Sequence, residues 1–165
     1  MHAFDFDKLI GGKIIVRRAR AKEKIVTIDG VERELNPSIL VIADEKRPVA
    51  IAGIMGGVET QVTSSTKRIL LESAYFDPVL VRRAGRALGL TSDSAYRFER
   101  GVDLFGVERC ARIALSRILQ TAGGNIVRYR DLFSRKKPVQ KKFFISAVEI
   151  SRFLGADIAS ARVKS

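Results

Sequence analysis

The sequence predicts an α+β fold in which a strand-rich first half is followed by helices. Three observations support this class. Short β-favouring runs fill roughly the first seventy residues, Asp29-Gly30 carries a hairpin signal, and helix start and stop signals follow Asp77. The chain has 165 residues, 46% of them hydrophobic and 29% charged, which is the composition of a folded globular protein with one sizeable core.

The predicted strands follow one another with short turns between them. The runs on either side of Asp29-Gly30 predict a hairpin, because this dipeptide suits the tight turns that join antiparallel strands. The run after Asn36-Pro37 is apolar nearly throughout, which is typical of a strand in a sheet core. In chain order, the predicted strands are 13–19, 24–35, 38–44, 48–57 and 67–76.

Helical signals replace strand signals after residue 76. Asp77 is a suitable N-cap, Pro78 suits the first helical position and Gly89 ends the pattern, so a helix is predicted between them. A longer helix is predicted from about 104 to 120, where the apolar stripe favours core packing over a binding face. Residues 125–133 are predicted to form one more strand.

The last part of the chain predicts a change of domain. The polar, basic run 134–142 is typical of a boundary, and the apolar helix-like pattern of 143–165 stops too soon to be buried. The sequence therefore predicts a main domain over 1–133, a basic linker over 134–142, and the truncated start of a following domain over 143–165.

The formal net charge of +12 favours a polyanionic partner such as nucleic acid. Much of the excess lies in "VRRARAKEK" and "RKKPVQKK", for which the alternative is a solvated face and a linker. The single cysteine cannot form an internal disulfide, the chain start lacks the layout of a secretory signal, and no run of eighteen apolar residues occurs. A cytoplasmic location without a membrane partner is predicted.

Several residues are candidates for a binding site. Gly53 and Gly56 follow an apolar strand and suggest backbone N–H groups offered to a ligand, with a tight turn as the alternative. Glu72 ends an apolar strand, so its carboxylate needs a partner, either a ligand hydroxyl or an arginine such as Arg97. His2 is the one histidine available for proton transfer near neutral pH, although it stands beside the chain start, where chains usually fray.

Diagnostic constellations of other enzyme classes are missing from the sequence. One His and one Cys exclude the usual zinc sets, and no Ser lies in a nucleophile elbow. The glycines fit neither a dinucleotide fingerprint nor a P-loop. Any chemistry that the chain performs is therefore expected to be mild.

A series of ordered motifs resembles the beta subunit of bacterial phenylalanyl-tRNA synthetase. The motifs are "HAFDFDKL", "GG", "VRRA", "LVIAD", "AIAGIMGG", "LLESAYFDP", "RRAGRALGL" and "SDSAYRFERGVD". They cover roughly residues 1 to 128 and are similar to the central editing module of that subunit. The part from Phe143 on is similar to the opening of the next domain, so the resemblance implies an excised fragment.

The resemblance implies a fold, an activity and partners. The fold is a three-layer arrangement in which a β-sandwich of unusual topology is flanked by helices. The activity is post-transfer editing, in which mischarged tyrosyl-tRNA(Phe) is hydrolysed; the synthetic reaction, with its ATP and Mg²⁺, lies outside this fragment, for which no cofactor is expected. The implied partners are the acceptor end of tRNA(Phe), tyrosine, and the alpha subunit in an alpha2 beta2 heterotetramer.

The resemblance also implies roles for individual residues. Glu72 matches the glutamate that receives the tyrosine phenol, and His2 matches a histidine near the terminal ribose and the ester. Gly53 and Gly56 match backbone positions that shape the pocket. Ser92 and Ser94 stand at its wall, where many relatives have Thr and Ala. The "YRFERG" segment is then expected to hold that wall onto the sheet by aromatic packing and ion pairing.

Two other functions stay open. The chain is alternatively a non-catalytic module for tRNA docking or assembly, whose positive charge contacts the acceptor stem. It is alternatively a free-standing aminoacyl-tRNA deacylase.

Overall fold

The computed structural model describes residues 1–132, 139 and 142–163. The chain divides into two compact units, Met1–Tyr129 and a second unit that begins at Arg130. Most of the predicted linker 134–142 lies outside the described residues, and the predicted domain boundaries stay predictions. Within the part of the chain that is described, no helix combines the length and the apolar character that crossing a membrane requires.

The first unit contains short strands in three antiparallel sheets. β1 pairs with β8, β3 pairs with β4, and the largest sheet has the order β2-β5-β6-β7. Together with the helices described below, these sheets confirm the predicted α+β class. The strands are β1 (His2–Asp5), β2 (Ile15–Arg18), β3 (Glu23–Val26), β4 (Glu32–Leu35), β5 (Leu40–Ala43), β6 (Pro48–Ile51), β7 (Met55–Gly56) and β8 (Ile69–Glu72).

The hairpin predicted at Asp29-Gly30 is confirmed. β3 and β4 pair from Val26 opposite Glu32 outward, and Gly30 has a φ of 80° in the connecting turn. The Arg33 guanidinium donates to the Asp29 carboxylate at 2.8 Å, which ties the turn to β4. The hairpin therefore gains a charge-assisted bond beyond its ladder.

The core lies between the central strands and the first helices. β6 is buried along its whole length and most of β5 is buried, as expected of strands covered on both faces. The fully buried side chains Phe4, Val41, Ile42 and Ile51 belong to this core. Phe76, Val81 and Phe98 extend it to the helical side.

Three helices follow in the first unit: α1 (Pro78–Leu88), α2 (Asp93–Phe98) and α3 (Val107–Ala122). The Asp77 carboxylate accepts from the backbone N–H groups of Val79 and Leu80, and α1 ends before Gly89, as predicted. The apolar stripe of α3 was expected to be core, but Ala111 is the one residue of α3 that is buried. The second unit contains α4 (Ala147–Leu154), which begins with a capping box between Ser146 and Glu149, and α5 (Ser160–Val163).

Two expectations about local structure are wrong. Residues 125–132 form no strand, and Phe133, the last residue of that predicted strand, lies outside the described residues. His2 is not frayed, because β1 pairs with β8 along its whole length. The first residues of a chain are usually poorly ordered, but here their pairing with β8, about seventy residues later, keeps them in a strand.

The "YRFERG" segment supplies the last three of the six residues of α2 and anchors the helix in a different way from that expected. Phe98 is buried against Phe76, with ring centroids 5.2 Å apart. Tyr96 is 59% exposed, and the Arg100 guanidinium stacks over its ring at 3.6 Å. Arg97 is exposed and donates to the Asp93 carbonyl one turn earlier. This segment therefore contributes to holding α2 through the packing of one aromatic side chain, since the ion pairs of Arg97 and Arg100 are to Asp93 and Glu99 nearby in the chain.

Candidate functional site

A cavity of about 160 Å³ in the first unit is lined by the six candidate residues proposed from the sequence. It is smaller than the roughly 300–1,000 Å³ of typical sites for drug-sized ligands, so it suits a single side chain. The remainder of the wall is mostly apolar, with Ile51, Met55, Phe76 and Phe98 among its members. The six residues are His2, Gly53, Gly56, Glu72, Ser92 and Ser94.

His2 and Glu72 enter the cavity from adjacent strands. They are directly opposite each other in the β1–β8 pair, so their side chains leave the ribbon on the same side. The sequence places them seventy residues apart, and only the pairing of β1 with β8 brings them together. A strand at the chain start is therefore what completes this end of the cavity.

The Glu72 carboxyl group is without a partner in the described structure. Among the described residues, none forms a hydrogen bond or an ion pair with it. Burial raises its pKa from 4.5 to about 7, and the nearby terminal amine only partly opposes this. The arginine alternative for Glu72 is wrong for Arg97, which is exposed and bonded within α2. The carboxyl group is thus available to a ligand.

His2 is held by packing and not by hydrogen bonds. Its ring meets the buried Phe4 edge-on, with centroids 4.5 Å apart, and its Nε2 is buried without a hydrogen-bond partner in the described structure. Burial, followed by the positive terminal amine, lowers the pKa of His2 below 6.5. The imidazole is therefore mainly neutral at pH 7, the form that accepts a proton.

Gly56 is required by the closeness of the histidine ring. A Cβ atom on Gly56 would lie 2.7 Å from His2 Nε2, a separation too short for any side chain. Gly56 is also paired with Ala50 in the β6–β7 ladder, so the backbone has no freedom to withdraw. The residue gives room to the imidazole and fixes its position over β7.

Gly53 forms the turn between β6 and β7 against the aromatic wall. Its φ of 71° is a conformation that favours glycine. A Cβ atom there would lie 3.0 Å from Phe76 Cδ2 and 3.3 Å from Phe98 Cγ. The turn can therefore approach both rings only because residue 53 has no side chain.

Ser92 and Ser94 join α2 to that same turn. Ser92 Oγ donates to the Ile54 carbonyl at 2.7 Å and accepts from the Ala95 N–H as the N-cap of α2. Ser94 Oγ donates to the Gly53 carbonyl at 3.0 Å. Since each hydroxyl has one hydrogen, both donors are used within the protein. The two serines thus build the wall, and only lone pairs remain for a ligand.

Two parts of the wall were not identified as site residues from the sequence. Phe76 precedes the cap of α1, and Phe98 lies inside "YRFERG", where it was interpreted as scaffold. An aromatic residue at each end of the α1–α2 segment was the available signal. Their packed rings supply an apolar surface on which an aromatic ligand can stack.

The cavity combines an apolar wall with two unpaired polar groups. Burial raises the pKa of the Glu72 carboxyl group to about 7, so it can exchange protons near neutral pH, and burial lowers the pKa of the His2 imidazole, which favours its neutral form. The carboxyl group suits a hydroxyl of a ligand, and the imidazole suits a water molecule or an alcohol. The roles of the six residues stay predictions.

Comparisons with known proteins match the sequence over which the motifs lie. The family model described as the B3/4 domain matches residues 1–123. The phenylalanine–tRNA ligase beta subunit of Carboxydothermus hydrogenoformans is 48% identical over 164 residues, which is 99% of this chain and 20% of that protein. That of Aquifex aeolicus is 47% identical over 164 residues, with 99% and 21% covered.

A more distant beta subunit, from Chlorobaculum tepidum, is 41% identical over 163 residues, again 99% of this chain and 20% of that protein. The chain thus spans about a fifth of the length of these relatives. The resemblance that the motifs indicate is confirmed by these matches.

Proposed function

The chain belongs to the B3/4 domain family, and on that premise we propose that its cavity hydrolyses the ester bond of tyrosyl-tRNA(Phe). The relatives are phenylalanine–tRNA ligase beta subunits, so the reaction corrects tyrosine attached in error by the synthetic site of such a ligase. A synthetic pocket shaped for phenylalanine rejects a substrate with one added hydroxyl only weakly, which makes a second site necessary.

The unpaired Glu72 carboxyl group in an apolar cavity is the observation that carries this proposal. The tyrosine phenol would give the carboxyl group the hydrogen bond that it lacks in the protein. Phenylalanine would leave it buried and unpaired, which costs about 1–3 kcal/mol. The site would therefore select the wrong amino acid and release the right one.

His2 would serve the hydrolysis itself. A water molecule attacks the ester carbonyl carbon while its proton passes to the neutral His2 imidazole, or is relayed to the leaving ribose oxygen by the neighbouring free ribose hydroxyl, which gives up its own proton as it takes up the one from water. The bond from the carbonyl carbon to the ribose oxygen breaks, and that oxygen takes up a proton. Tyrosine and free tRNA are the products. The neutral imidazole favoured by burial is the form that this step requires.

The partners follow from the names of the relatives and stay proposals. The beta subunits would act with an alpha subunit, in an alpha2 beta2 heterotetramer whose synthetic site uses ATP and Mg²⁺. No cofactor is proposed for the module itself, and a cytoplasmic location is proposed with the rest of translation. The acceptor end of tRNA(Phe) would deliver the ester to the cavity.

Replacing His2 tests the chemical role directly. In the complete synthetase, His2→Ala is expected to slow the deacylation of tyrosyl-tRNA(Phe) by about a hundredfold or more, since a positioned base typically contributes at least that much. His2→Gln is the matched control, because it keeps a hydrogen-bonding group of similar reach but cannot take up the proton. Deacylation that is unchanged in His2→Ala would show that His2 has no part in the reaction.

A second candidate function is that of a non-catalytic module that docks tRNA, and one observation favours it. The described structure leaves a group of exposed arginines on α1 without acidic partners, as a surface for RNA would require. A docking module would bind tRNA but leave the ester intact in the assay above. The two functions therefore differ in an outcome that is measured.

A further inference from the structure

Three arginines of α1 form an exposed basic surface. Arg82, Arg83 and Arg86, here called the α1 arginine row, are all exposed, while Val81 and Ala84 are the buried residues of the helix. At 100° per residue, the three side chains leave the helix within an arc of about 100° on the side away from the core. Arg82 and Arg86 lie one turn apart, about 6 Å along the axis.

In the described part of the chain, no acidic group is paired with this row. Within the described residues, none of its guanidinium groups has a hydrogen-bond or ion-pair partner, and α1 itself contains no Asp or Glu. Many other arginines of the first unit lie within 4.0 Å of a carboxylate. These are Arg17, Arg33, Arg47, Arg68, Arg97, Arg100 and Arg112.

The other basic runs are weaker candidates for a binding surface. In "VRRARAKEK", Arg17 pairs with Glu23 and Lys24 pairs with Glu32, each at 2.7 Å. These pairs support the alternative of a solvated face for that run. Most of "RKKPVQKK" lies outside the described residues. The α1 arginine row is thus a group of three neighbouring guanidinium groups on one helix face for which the described structure gives no carboxylate partner.

The helix that carries the row borders the cavity wall. α1 begins two residues after Phe76, whose ring forms part of the cavity wall. From the buried side of the helix, Val81 packs against the turn that contains Gly53; a Cβ on that glycine would lie 3.1 Å from Val81 Cγ2. A polyanion bound along the row would therefore lie across α1, roughly one helix diameter of about 10 Å, from the residues that enclose the proposed substrate.

We infer that the α1 arginine row binds the phosphate backbone of the RNA strand whose aminoacylated 3′ end enters the cavity. Arginine suits this task because its planar group donates two parallel hydrogen bonds to a phosphate and stays charged at any physiological pH. Phosphate contacts position a nucleic acid without reading its sequence. The α1 arginine row would thus position the acceptor end of the tRNA, while Glu72 binds the hydroxyl of the attached amino acid. This inference rests on the proposed function for the identity of the strand.

The test is a binding titration of the 165-residue chain with an unacylated tRNA(Phe) transcript at several salt concentrations. The triple variant Arg82→Gln, Arg83→Gln, Arg86→Gln is expected to bind about tenfold more weakly or worse. Its plot of log affinity against log salt should be shallower by about 2, since each lost phosphate contact removes about 0.7 to 0.9 from the slope.

A charge-matched control uses three exposed arginines of α3. Arg109→Gln, Arg112→Gln and Arg117→Gln remove the same formal charge from another helix, so a loss specific to α1 should leave this variant near wild type. A loss of equal size in both triple variants would show a general effect of net charge and would overturn the inference. So would an absence of salt-dependent binding by the wild-type chain.

Folding and the proposed function are checked separately. Because the row is exposed, the α1 triple variant should keep the amide NMR spectrum of the fold and should still bind free L-tyrosine as the wild type does. A triple Arg→Lys variant keeps the charge and should retain most of the salt dependence; loss of RNA binding in that folded variant would contradict the electrostatic account. If RNA binding depends on α1 while L-tyrosine does not bind at all, the proposed function fails and the RNA surface stands.

Discussion

Gly53→Ala is expected to lower the free energy of unfolding by about 2–4 kcal/mol. The added Cβ would lie 3.0 Å from Phe76, 3.1 Å from Val81 and 3.3 Å from Phe98, so core side chains would have to move. A further part of the loss arises because alanine is strained at a φ of 71°. Chemical denaturation of the wild type and the variant measures the sum.

Gly30→Ala separates the two contributions. Gly30 has a φ of 80°, close to that of Gly53, but a Cβ there would have no atom within 4 Å. Its substitution should therefore cost only the backbone part, about 1–2 kcal/mol. If the two variants lose the same stability, Gly53 is not held against the aromatic wall in the way described.

Glu72→Gln is expected to stabilise the protein at alkaline pH by about 2–3 kcal/mol. The folded-state pKa of Glu72, about 7, lies above its ordinary value of 4.5, so the folded protein holds the proton more tightly than the unfolded chain. Wild-type stability therefore falls as pH rises from about 4.5 to about 7, and the penalty is complete above that range. Glutamine is neutral at every pH and removes it.

Denaturation curves from pH 4 to pH 8.5 test this expectation. The difference in the free energy of unfolding between Glu72→Gln and the wild type should be near zero at pH 4. It should grow as the pH rises from about 4.5 to about 7. Glu34→Gln provides the control, since it makes the same substitution at an exposed position on β4 outside the cavity. A constant difference between Glu72→Gln and the wild type across the range would show that Glu72 is not buried in the cavity.

Local signals allowed most of the fold to be predicted from the sequence. The Asp29-Gly30 hairpin and the limits of α1 follow from turn and cap chemistry, which acts within a few residues. The apolar run in β5 and β6 predicted a buried sheet, and both strands are in the core. Elements whose structure is determined by residues nearby in the chain were therefore predicted correctly from the sequence.

The errors arise where distant parts of the chain determine the structure. β1 was missed because its four residues form a strand only by pairing with β8, almost seventy residues away. α2 has six residues and was hidden by its polar and aromatic composition. The β-favouring run at 125–132 found no partner strand in the described structure and stayed without one.

The composition of the site was proposed mainly from the family resemblance, whereas its physical organisation comes from the structure. Nothing in the sequence indicates that Gly56 makes room for the His2 ring, because the contact joins β7 to the first strand. Similarly, a sequence cannot reveal that the Ser92 and Ser94 hydroxyls donate to the turn at Gly53 and Ile54. Those hydrogen bonds make the two serines part of the cavity wall. The proposed function depends instead on the Glu72 carboxyl group, which is free to bind a ligand.

An amide-resolved NMR titration with L-tyrosine and, separately, L-phenylalanine tests the central claim most directly. It needs no tRNA, so weak docking of RNA cannot hide a competent cavity. We expect tyrosine alone to shift the signals of Gly53, Gly56, Glu72 and Ser94, and Glu72→Ala to abolish that preference. Equal binding of both amino acids elsewhere, or no binding of either, would contradict the claim that this cavity recognises the tyrosine hydroxyl.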